Sequence, residues 1–158
     1  MPIFFDRQYL KTVVPLIKAA KDEILVAVYE WAWYDHQRAG TAQDVNRAVC
    51  SQGDRGITIK AILHHDYQTS HLSKLNRKSA SRLRRHGAEI HFGSQKVIMH
   101  AKLWVFDATT AVICTHNIST RALTTNRELG VVFTDPAEVK QVHDYFYEIW
   151  NHTAGFKE

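Results

Sequence analysis

The chain has 158 residues, of which 45% are hydrophobic and 23% are charged, and its formal net charge is +4. This length and composition predict one globular domain over residues 1–158 and exclude a disordered, collagen-like or disulfide-stapled chain. The longest apolar run, residues 24–29, is too short to cross a bilayer, and residues 1–6 show no signal-peptide pattern. We therefore expect a cytoplasmic protein with no stable membrane association.

Helical and strand patterns alternate along the chain. Apolar residues at helical spacing predict a first helix over residues 10–17, with Pro15 either delaying its start or kinking it. Strands are predicted at 24–31, 57–63, 88–92, 101–106, 111–115 and 129–134, and helices at 41–52 and 71–86. The last helix has the clearest start, since Asp135 as N-cap precedes Pro136 and Glu138. This order predicts an α/β fold with a mixed β-sheet flanked by helices on both faces, mixed because strands 101–106 and 111–115 form a hairpin.

The positive charge is concentrated in one segment. Residues 67–88 contain no acidic residue and carry six basic ones, whereas the rest of the chain has 14 basic and 16 acidic residues. Four of the six lie at helical spacing and form what we call the basic stripe: Lys74, Lys78, Arg82 and Arg85. Such a stripe can bind nucleic-acid phosphates, although a solvated helix face has the same pattern.

Polar side chains that suit phosphoryl transfer lie between residues 100 and 128. His100 and Lys102 are two residues apart at the start of one predicted strand, and Thr115 and Asn117 are two residues apart at the end of the next. Strand side chains alternate, so each pair projects from one face, and the hairpin would bring the pairs together. They would supply a nucleophile or proton carrier and donors to phosphoryl oxygens. Asp107 lies an odd number of residues from His100, so we interpret it as structural support of the motif.

The spacing of these residues resembles the signature of the phospholipase D superfamily, His-x-Lys-x4-Asp-x6-Gly-Ser-x-Asn. Four residues match the signature position for position: His100, Lys102, Asp107 and Asn117. Cys114 replaces the glycine, and Thr115 replaces the serine but keeps its hydroxyl. Glu128 lies where family members usually carry an acidic residue. The resemblance implies a phospholipase D-like fold.

The same resemblance implies a metal-independent phosphodiesterase that needs no cofactor. Family enzymes build one site from two motifs, and this chain carries one, so the resemblance implies a homodimer with a shared site on its two-fold axis. One His100 would attack phosphorus to form a phosphohistidine, and the partner's His100 would protonate the leaving oxygen. Lys102 and Asn117, assisted by Thr115, would stabilise the phosphoryl oxygens. Glu128 would orient the imidazole through a hydrogen bond.

Three classes of phosphodiester suit this chemistry: DNA or RNA, phospholipids, and the substrates of headgroup transfer. The small size, the basic segment and the lack of an apolar membrane-seeking helix favour nucleic acid, and thus a nonspecific endonuclease. The alternatives are a phospholipase or phosphatidyltransferase, and a nucleic-acid-binding module with an idle site.

The remaining histidines and cysteines admit simpler interpretations. No metal site is expected, because the histidines lack metal-ligand spacing. His64 or His65 could still face the pocket, since they end the predicted strand 57–63. His116 is expected at the surface or against a phosphate. Cys50 and Cys114 are expected to be buried free thiols.

An aromatic cluster at residues 29–34 has two interpretations. Its members are Tyr29, Trp31, Trp33 and Tyr34. They could stack exposed bases, but packing in the core and the dimer is favoured. Glu30 lies among them and could border the pocket.

Overall fold

A single mixed sheet organises the described part of the chain. A computed structural model describes residues 2–36, 41–67, 69–93 and 96–155. Within these ranges the strands are β1 (Ile3–Phe5), β2 (Glu23–Val28), β3 (Thr58–Leu63), β4 (Glu89–Phe92), β5 (Leu103–Phe106), β6 (Thr110–Cys114), β7 (Leu129–Phe133) and β8 (Ala154–Gly155). The helices are α1 (Gln8–Ala19), α2 (Ala42–Asp54), α3 (His71–Arg84), α4 (Thr120–Thr124) and α5 (Pro136–Asn151).

The strand order in the sheet is β1-β7-β6-β5-β2-β3-β4-β8. β2, β3 and β4 are parallel, and every other pairing is antiparallel, so the predicted mixed sheet is confirmed. The predicted hairpin is β5 and β6, with Leu103 opposite Ile113. At its turn, Asp107 and Ala108 both have positive φ, which matches the right-handed twist of the two strands.

Helices cover both faces of the sheet, as predicted. On one face α1, α2 and α3 bury a core that includes Tyr9, Trp31 and Trp104. On the other face α5 buries Val139 and Phe146 against the central strands. Burial of side chains of this size stabilises the fold by about 1.5–3 kcal/mol each. No helix in the described ranges combines the length and the apolar composition needed to cross a bilayer.

The start of α1 and the start of β5 differ from the predictions, and three short elements were not predicted. α1 begins at Gln8 and contains Pro15, so of the two alternatives for Pro15 the later start is wrong. The N-cap of α5 is confirmed, because the Asp135 side chain accepts hydrogen bonds from the second and third amides of the helix. β5 begins at Leu103, so His100 and Lys102 precede the strand, and the prediction that they project from it is wrong. β1, β8 and α4 were not predicted, because two to five residues are too few to show a period.

Candidate active site

Most of the polar residues of the signature lie at one edge of the sheet, the edge formed by the ends of five strands. β2 and β3 are parallel, so their carboxyl ends lie side by side. β5 runs antiparallel to β2, and β6 antiparallel to β5, so β5 begins and β6 ends at this same edge. β7 also begins there, because it is antiparallel to β6. The residues that adjoin these five strand ends are Tyr29, His64, His100, Lys102, Thr115, Asn117 and Glu128.

Lys102 and His100 are in direct contact. The Lys102 ammonium lies 3.1 and 3.2 Å from the two ring nitrogens of His100 and donates to the His100 main-chain oxygen at 2.8 Å. Lys102 is 8% exposed, whereas His100 is exposed. Burial lowers the pKa of Lys102, and the Glu128 carboxylate opposes that shift. A neutral imidazole has one ring-nitrogen lone pair, so the pair places an accessible base or nucleophile beside a fixed cationic donor.

Tyr29 and His64 complete the surroundings of this pair. The Tyr29 ring lies 4.7 Å from the His100 ring and 5.0 Å from the His64 ring, measured between centroids. Of the two histidines that the sequence left open, His64 is the one beside His100, while His65 packs against Phe92. Sequence spacing did not single out Tyr29 for the site, because the contact depends on which strands are neighbours.

Thr115 and Glu128 form a second pair. The Thr115 hydroxyl donates to Glu128 Oε2, and Asn126 Nδ2 donates to Glu128 Oε1 at 3.1 Å. Among the described residues Glu128 makes no hydrogen bond to His100. Within one chain there is therefore no contact through which Glu128 would orient the His100 imidazole, as the resemblance implied. The reason is the strand order, since β6 separates the start of β7 from the start of β5.

Asn117 is held by the segment that follows β2. The main-chain N–H of Glu30 donates to Asn117 Oδ1 at 3.3 Å, and the N–H of Ile118 donates to the Glu30 oxygen at 3.0 Å. With Oδ1 engaged, the amide nitrogen of Asn117 is the group that can donate to a substrate. Glu30 borders this region, and burial raises its pKa, opposed by the charge of His71 and by a hydrogen bond that the Ser119 side chain donates.

Asp107 lies at the opposite edge of the sheet, at the other end of β5. Its carboxylate accepts from the main-chain N–H groups of Lys21, Asp22 and Glu23 at 2.9–3.2 Å. Burial raises the pKa of Asp107, but these amide hydrogen bonds outweigh it, and the net shift is downward. The carboxylate therefore ties the hairpin to the start of β2, and its contacts lie away from the signature histidine.

The basic stripe is partly neutralised. Its four residues lie along α3 and its C-cap, but Lys78 and Arg82 contact the Asp35 carboxylate at 2.8 and 3.4 Å. The hydrogen bond from Lys78 lowers the pKa of Asp35. Lys74 and Arg85 are exposed. Asp35 lies far from α3 in the sequence, so the charge pattern gave no sign of this pairing.

The expectation that His116 lies at the surface or against a phosphate is wrong. His116 is 1% exposed, and its ring lies 5.6 Å from that of Phe4 and 4.8 Å from that of Tyr9. Its Nε2 lies 2.9 Å from the main-chain oxygen of Asp6. Burial lowers the pKa of His116, with the Asp6 oxygen opposing. The unpredicted strand β1 explains the difference, because it covers this position.

The cysteines are buried and free, as predicted. Cys114 ends β6 and packs in the core on the α1 side of the sheet. Its thiol donates to the main-chain oxygen of His116 at 3.8 Å, and burial raises the pKa of Cys114 to about 12. The side chain that replaces the family glycine is therefore accommodated in the core.

An apolar surface adjoins the site. On the sheet face that α5 covers only in part, four side chains are 45–58% exposed, and we call them the apolar face: Ile3, Phe5, Ile113 and Leu129. Tyr145 of α5 is 49% exposed beside them. A cavity of about 390 Å³ lies between this surface and the signature, and its lining includes Ile113, Tyr145, His100 and Lys102.

Comparisons with solved structures identify the fold. The chain is similar to Nuc, a phospholipase D family member from Salmonella typhimurium, with a TM-score of 0.81, 20% identity and 99% of each chain covered. NucT from Helicobacter pylori has a TM-score of 0.75 and 19% identity, with 98% of each chain covered. Phosphatidylserine synthase from Haemophilus influenzae has a TM-score of 0.75 and 14% identity over 99% of this chain but 40% of its own. No curated protein sequence matches the chain.

A family comparison reaches the same result from the sequence. Residues 13–150 match the family described as "Cardiolipin synthase, PLD-like domain", which is most of the chain. The matched range includes the whole signature, from His100 to Asn117, as well as Glu128. The chain therefore belongs to the phospholipase D superfamily.

Proposed function

We propose that this protein is a metal-independent phosphodiester hydrolase, acting as a nonspecific endonuclease on DNA or RNA. The contact between the buried Lys102 ammonium and the exposed His100 imidazole carries the proposal. Attack on a phosphodiester needs a nucleophile that can reach phosphorus and a positive charge that stabilises the non-bridging oxygens. This pair supplies both, and membership of the superfamily supports phosphodiester chemistry.

In the proposed mechanism His100 attacks phosphorus, the bond to the leaving oxygen breaks, and a phosphohistidine forms. The partner's His100 gives its proton to the leaving oxygen. It then takes a proton from water, whose oxygen attacks phosphorus and breaks the phosphorus–nitrogen bond. Lys102 and Asn117 donate to the phosphoryl oxygens throughout, assisted by Thr115. In the free chain the Thr115 hydroxyl donates its single hydrogen to Glu128, so we assign Glu128 to that hydroxyl and propose that the hydroxyl turns to a phosphoryl oxygen when substrate binds.

The second proton carrier is proposed to come from a second copy of the chain. A two-fold axis beside His100 would bring two copies of that residue into one pocket. The apolar face supports this arrangement, because four large side chains at the sheet edge next to the signature are exposed in one chain. Pairing of two such faces would remove this surface from water.

Subunit mixing tests the shared site. Wild type and His100→Ala chains are co-expressed with different tags at a series of ratios. If each site needs two histidines, activity follows the square of the wild-type fraction, so equal amounts leave about a quarter of full activity. Activity proportional to the wild-type fraction, or full activity of a monomer in sedimentation, would contradict the shared site.

Nucleic acid is the proposed substrate because of charge and size. Lys74 and Arg85 are exposed on or beside α3, although Asp35 partly neutralises the other two residues of the basic stripe. The chain spans 99% of Nuc and 98% of NucT, but 40% of the phosphatidylserine synthase. The fold of this chain therefore matches Nuc and NucT over nearly their whole lengths.

A phospholipid is the second candidate, and one observation favours it. A cavity of about 370 Å³ beside His100 is lined largely by apolar side chains, including Val97, Ile98 and Tyr145. Val97 and Ile98 are 69% and 67% exposed. An exposed apolar surface of this kind beside His100 suits acyl chains.

Cleavage assays in excess EDTA separate these candidates. Supercoiled plasmid, single-stranded DNA, RNA and phosphatidylcholine vesicles are each incubated with wild type, His100→Ala, and the control His143→Ala. His143 of α5 lies 4.0 Å from Glu23 at the start of β2, away from the signature histidine. We expect nucleic-acid cleavage by wild type and the control only. Faster turnover of vesicles would favour the lipid candidate, and binding of nucleic acid without cleavage by folded wild type would indicate an idle site.

A further inference from the structure

Tyr29 links three functional groups of the site through its ring. Its ring is stacked on that of His64 with an interplanar angle of 17°, and it contacts the His100 ring at 57°. The Lys102 ammonium lies 5.3 Å from the centroid of the same ring. A cation over an aromatic face is attracted to it, so one ring restricts both the signature imidazole and the signature ammonium. Among the described residues the Tyr29 hydroxyl makes no hydrogen bond.

His64 holds the main chain next to His100. Its Nδ1 accepts from the N–H of Met99 at 3.3 Å, and Met99 immediately precedes His100. His64 is 4% exposed and Met99 is 6% exposed, so this N–H would otherwise lack a water partner. Burial lowers the pKa of His64, opposed by Asp66 and reinforced by its other neighbours, His65 and His100. A neutral ring keeps the Nδ1 lone pair that Met99 requires.

Asn76 of α3 fixes the two rings relative to one another. Its side chain is fully buried, and its Nδ2 donates to the main-chain oxygens of Tyr29 at 2.9 Å and His64 at 2.7 Å. Its Oδ1 accepts from the N–H of Trp31 at 2.8 Å. One satisfied amide thus joins the ends of β2 and β3, from which both rings project. A side chain held by packing and by hydrogen bonds is a rigid support for a catalytic group.

We propose that Tyr29 and His64 are positioning residues that fix the His100 imidazole and the Lys102 ammonium for attack on phosphorus. This inference rests on the proposed phosphodiesterase activity. Tyr29 acts through its ring face, and His64 acts through the main chain at Met99. Neither is assigned a contact with the substrate.

A matched pair of Tyr29 variants tests the ring. Tyr29→Phe keeps the ring, so we expect its kcat to stay within about twofold of wild type. Tyr29→Leu removes the ring, and we expect kcat to fall by about 10- to 100-fold with KM nearly unchanged, because misplacement of a catalytic group by about 1 Å costs up to about 100-fold. A folded Tyr29→Leu variant with wild-type kcat would overturn the proposal. So would an equal loss in Tyr29→Phe, since that would assign the function to the hydroxyl.

His64→Phe tests the hydrogen bond between His64 and Met99 without altering Tyr29. It also keeps the proposal testable if Tyr29→Leu does not fold. It preserves stacking but removes the acceptor for the Met99 amide. We expect faster hydrogen exchange at Met99 together with reduced kcat. Unchanged exchange at Met99 would contradict the assigned hydrogen bond, and faster exchange with unchanged kcat would contradict its role in positioning.

Nuclear magnetic resonance separates this inference from the proposed function, because it needs no substrate. Nuclear Overhauser contacts between the rings at positions 29 and 100 are expected in wild type and in Tyr29→Phe, both prepared with isotopically labelled histidine. If these contacts and the Met99 protection are present but no phosphodiester is cleaved, the proposed function fails and the assigned geometry stands. If cleavage occurs without them, the positioning inference fails alone.

Discussion

Replacement of Asp107 should destabilise the fold without altering the chemistry, although this residue is part of the family signature. Its Oδ1 accepts from the amides of Lys21, Asp22 and Glu23 at 3.2, 2.9 and 2.9 Å, and its Oδ2 accepts from Lys21 at 3.0 Å. Asp107 also has φ of 51°, a conformation that aspartate and asparagine adopt more readily than alanine. With β5 between them, Asp107 and His100 are about 20 Å apart at the rise of an extended chain.

The loss in Asp107→Ala can be summed from these contacts. The bond to the half-buried Glu23 amide is worth about 2 kcal/mol, because the acceptor is charged. The exposed amides of Lys21 and Asp22 regain water and lose about 0.5 kcal/mol each. Alanine in the left-handed region adds about 1 kcal/mol. The total is about 4 kcal/mol, a large share of the roughly 5–15 kcal/mol that stabilises a typical domain.

Asp107→Asn is the matched control. Its Oδ1 can still accept from all three amides, but its NH₂ group then faces the Lys21 amide, so we expect a loss of about 1 kcal/mol. Urea unfolding followed by circular dichroism measures both losses in the free energy of unfolding. We expect the slope of that free energy against urea concentration to stay unchanged. Cleavage at 10 °C, corrected for the folded fraction, should stay within about twofold of wild type in both variants. A stable Asp107→Asn variant that loses more than about tenfold in kcat would refute the reasoning and place Asp107 in the chemistry.

Three further predictions concern the site, the interface and pH. Lys102→Met should lower kcat by about 10²–10³-fold and leave nucleic-acid binding measurable in a shift assay, because it removes a preorganised donor; unchanged kcat would exclude the assigned role. Ile113→Lys should shift sedimentation toward monomer and reduce activity in parallel, and a dimer of wild-type affinity would exclude the apolar face as the interface. Burial lowers the pKa of His64 and His116 below the ordinary 6.5, so the unfolded chain binds protons that the folded chain does not as pH falls below that value. The free energy of unfolding should therefore decrease from about pH 6.5 downward, less steeply in His116→Gln; a free energy that rises on acidification would contradict both shifts.

The sequence predicted the parts of the site that depend on elements next to one another along the chain. The spacing of His100 and Lys102 in the signature identified the two groups whose contact carries the proposed chemistry. The apolar strands and the tight turn predicted the β5–β6 hairpin, because a short connection forces antiparallel pairing. The N-cap at Asp135 fixed the start of α5, since capping is local and depends on residue type.

The rest of the site depends on which strands are adjacent, and spacing carries no such information. Tyr29 contacts His100 because β5 pairs with β2 in the sheet, although the two strands are far apart in the sequence. Glu128 faces Thr115 and not His100 because β6 lies between their strands. Asp35 neutralises part of the basic stripe from another loop. His116 is buried by a three-residue strand whose length leaves no periodic signal.

The central claim is that His100 forms a covalent phosphoenzyme without a metal, and rapid quenching tests it most directly. Wild type in excess EDTA is mixed with an oligonucleotide carrying labelled phosphodiesters, quenched in base within milliseconds, and digested for mass spectrometry. A phosphohistidine is stable in base and labile in acid, so the adduct should survive the quench, disappear on acid treatment and be absent in His100→Ala. We predict that it maps to His100 and that it forms and decays at rates that account for turnover. Cleavage that proceeds in His100→Ala, or that stops in EDTA and returns only with a divalent cation, would contradict the account.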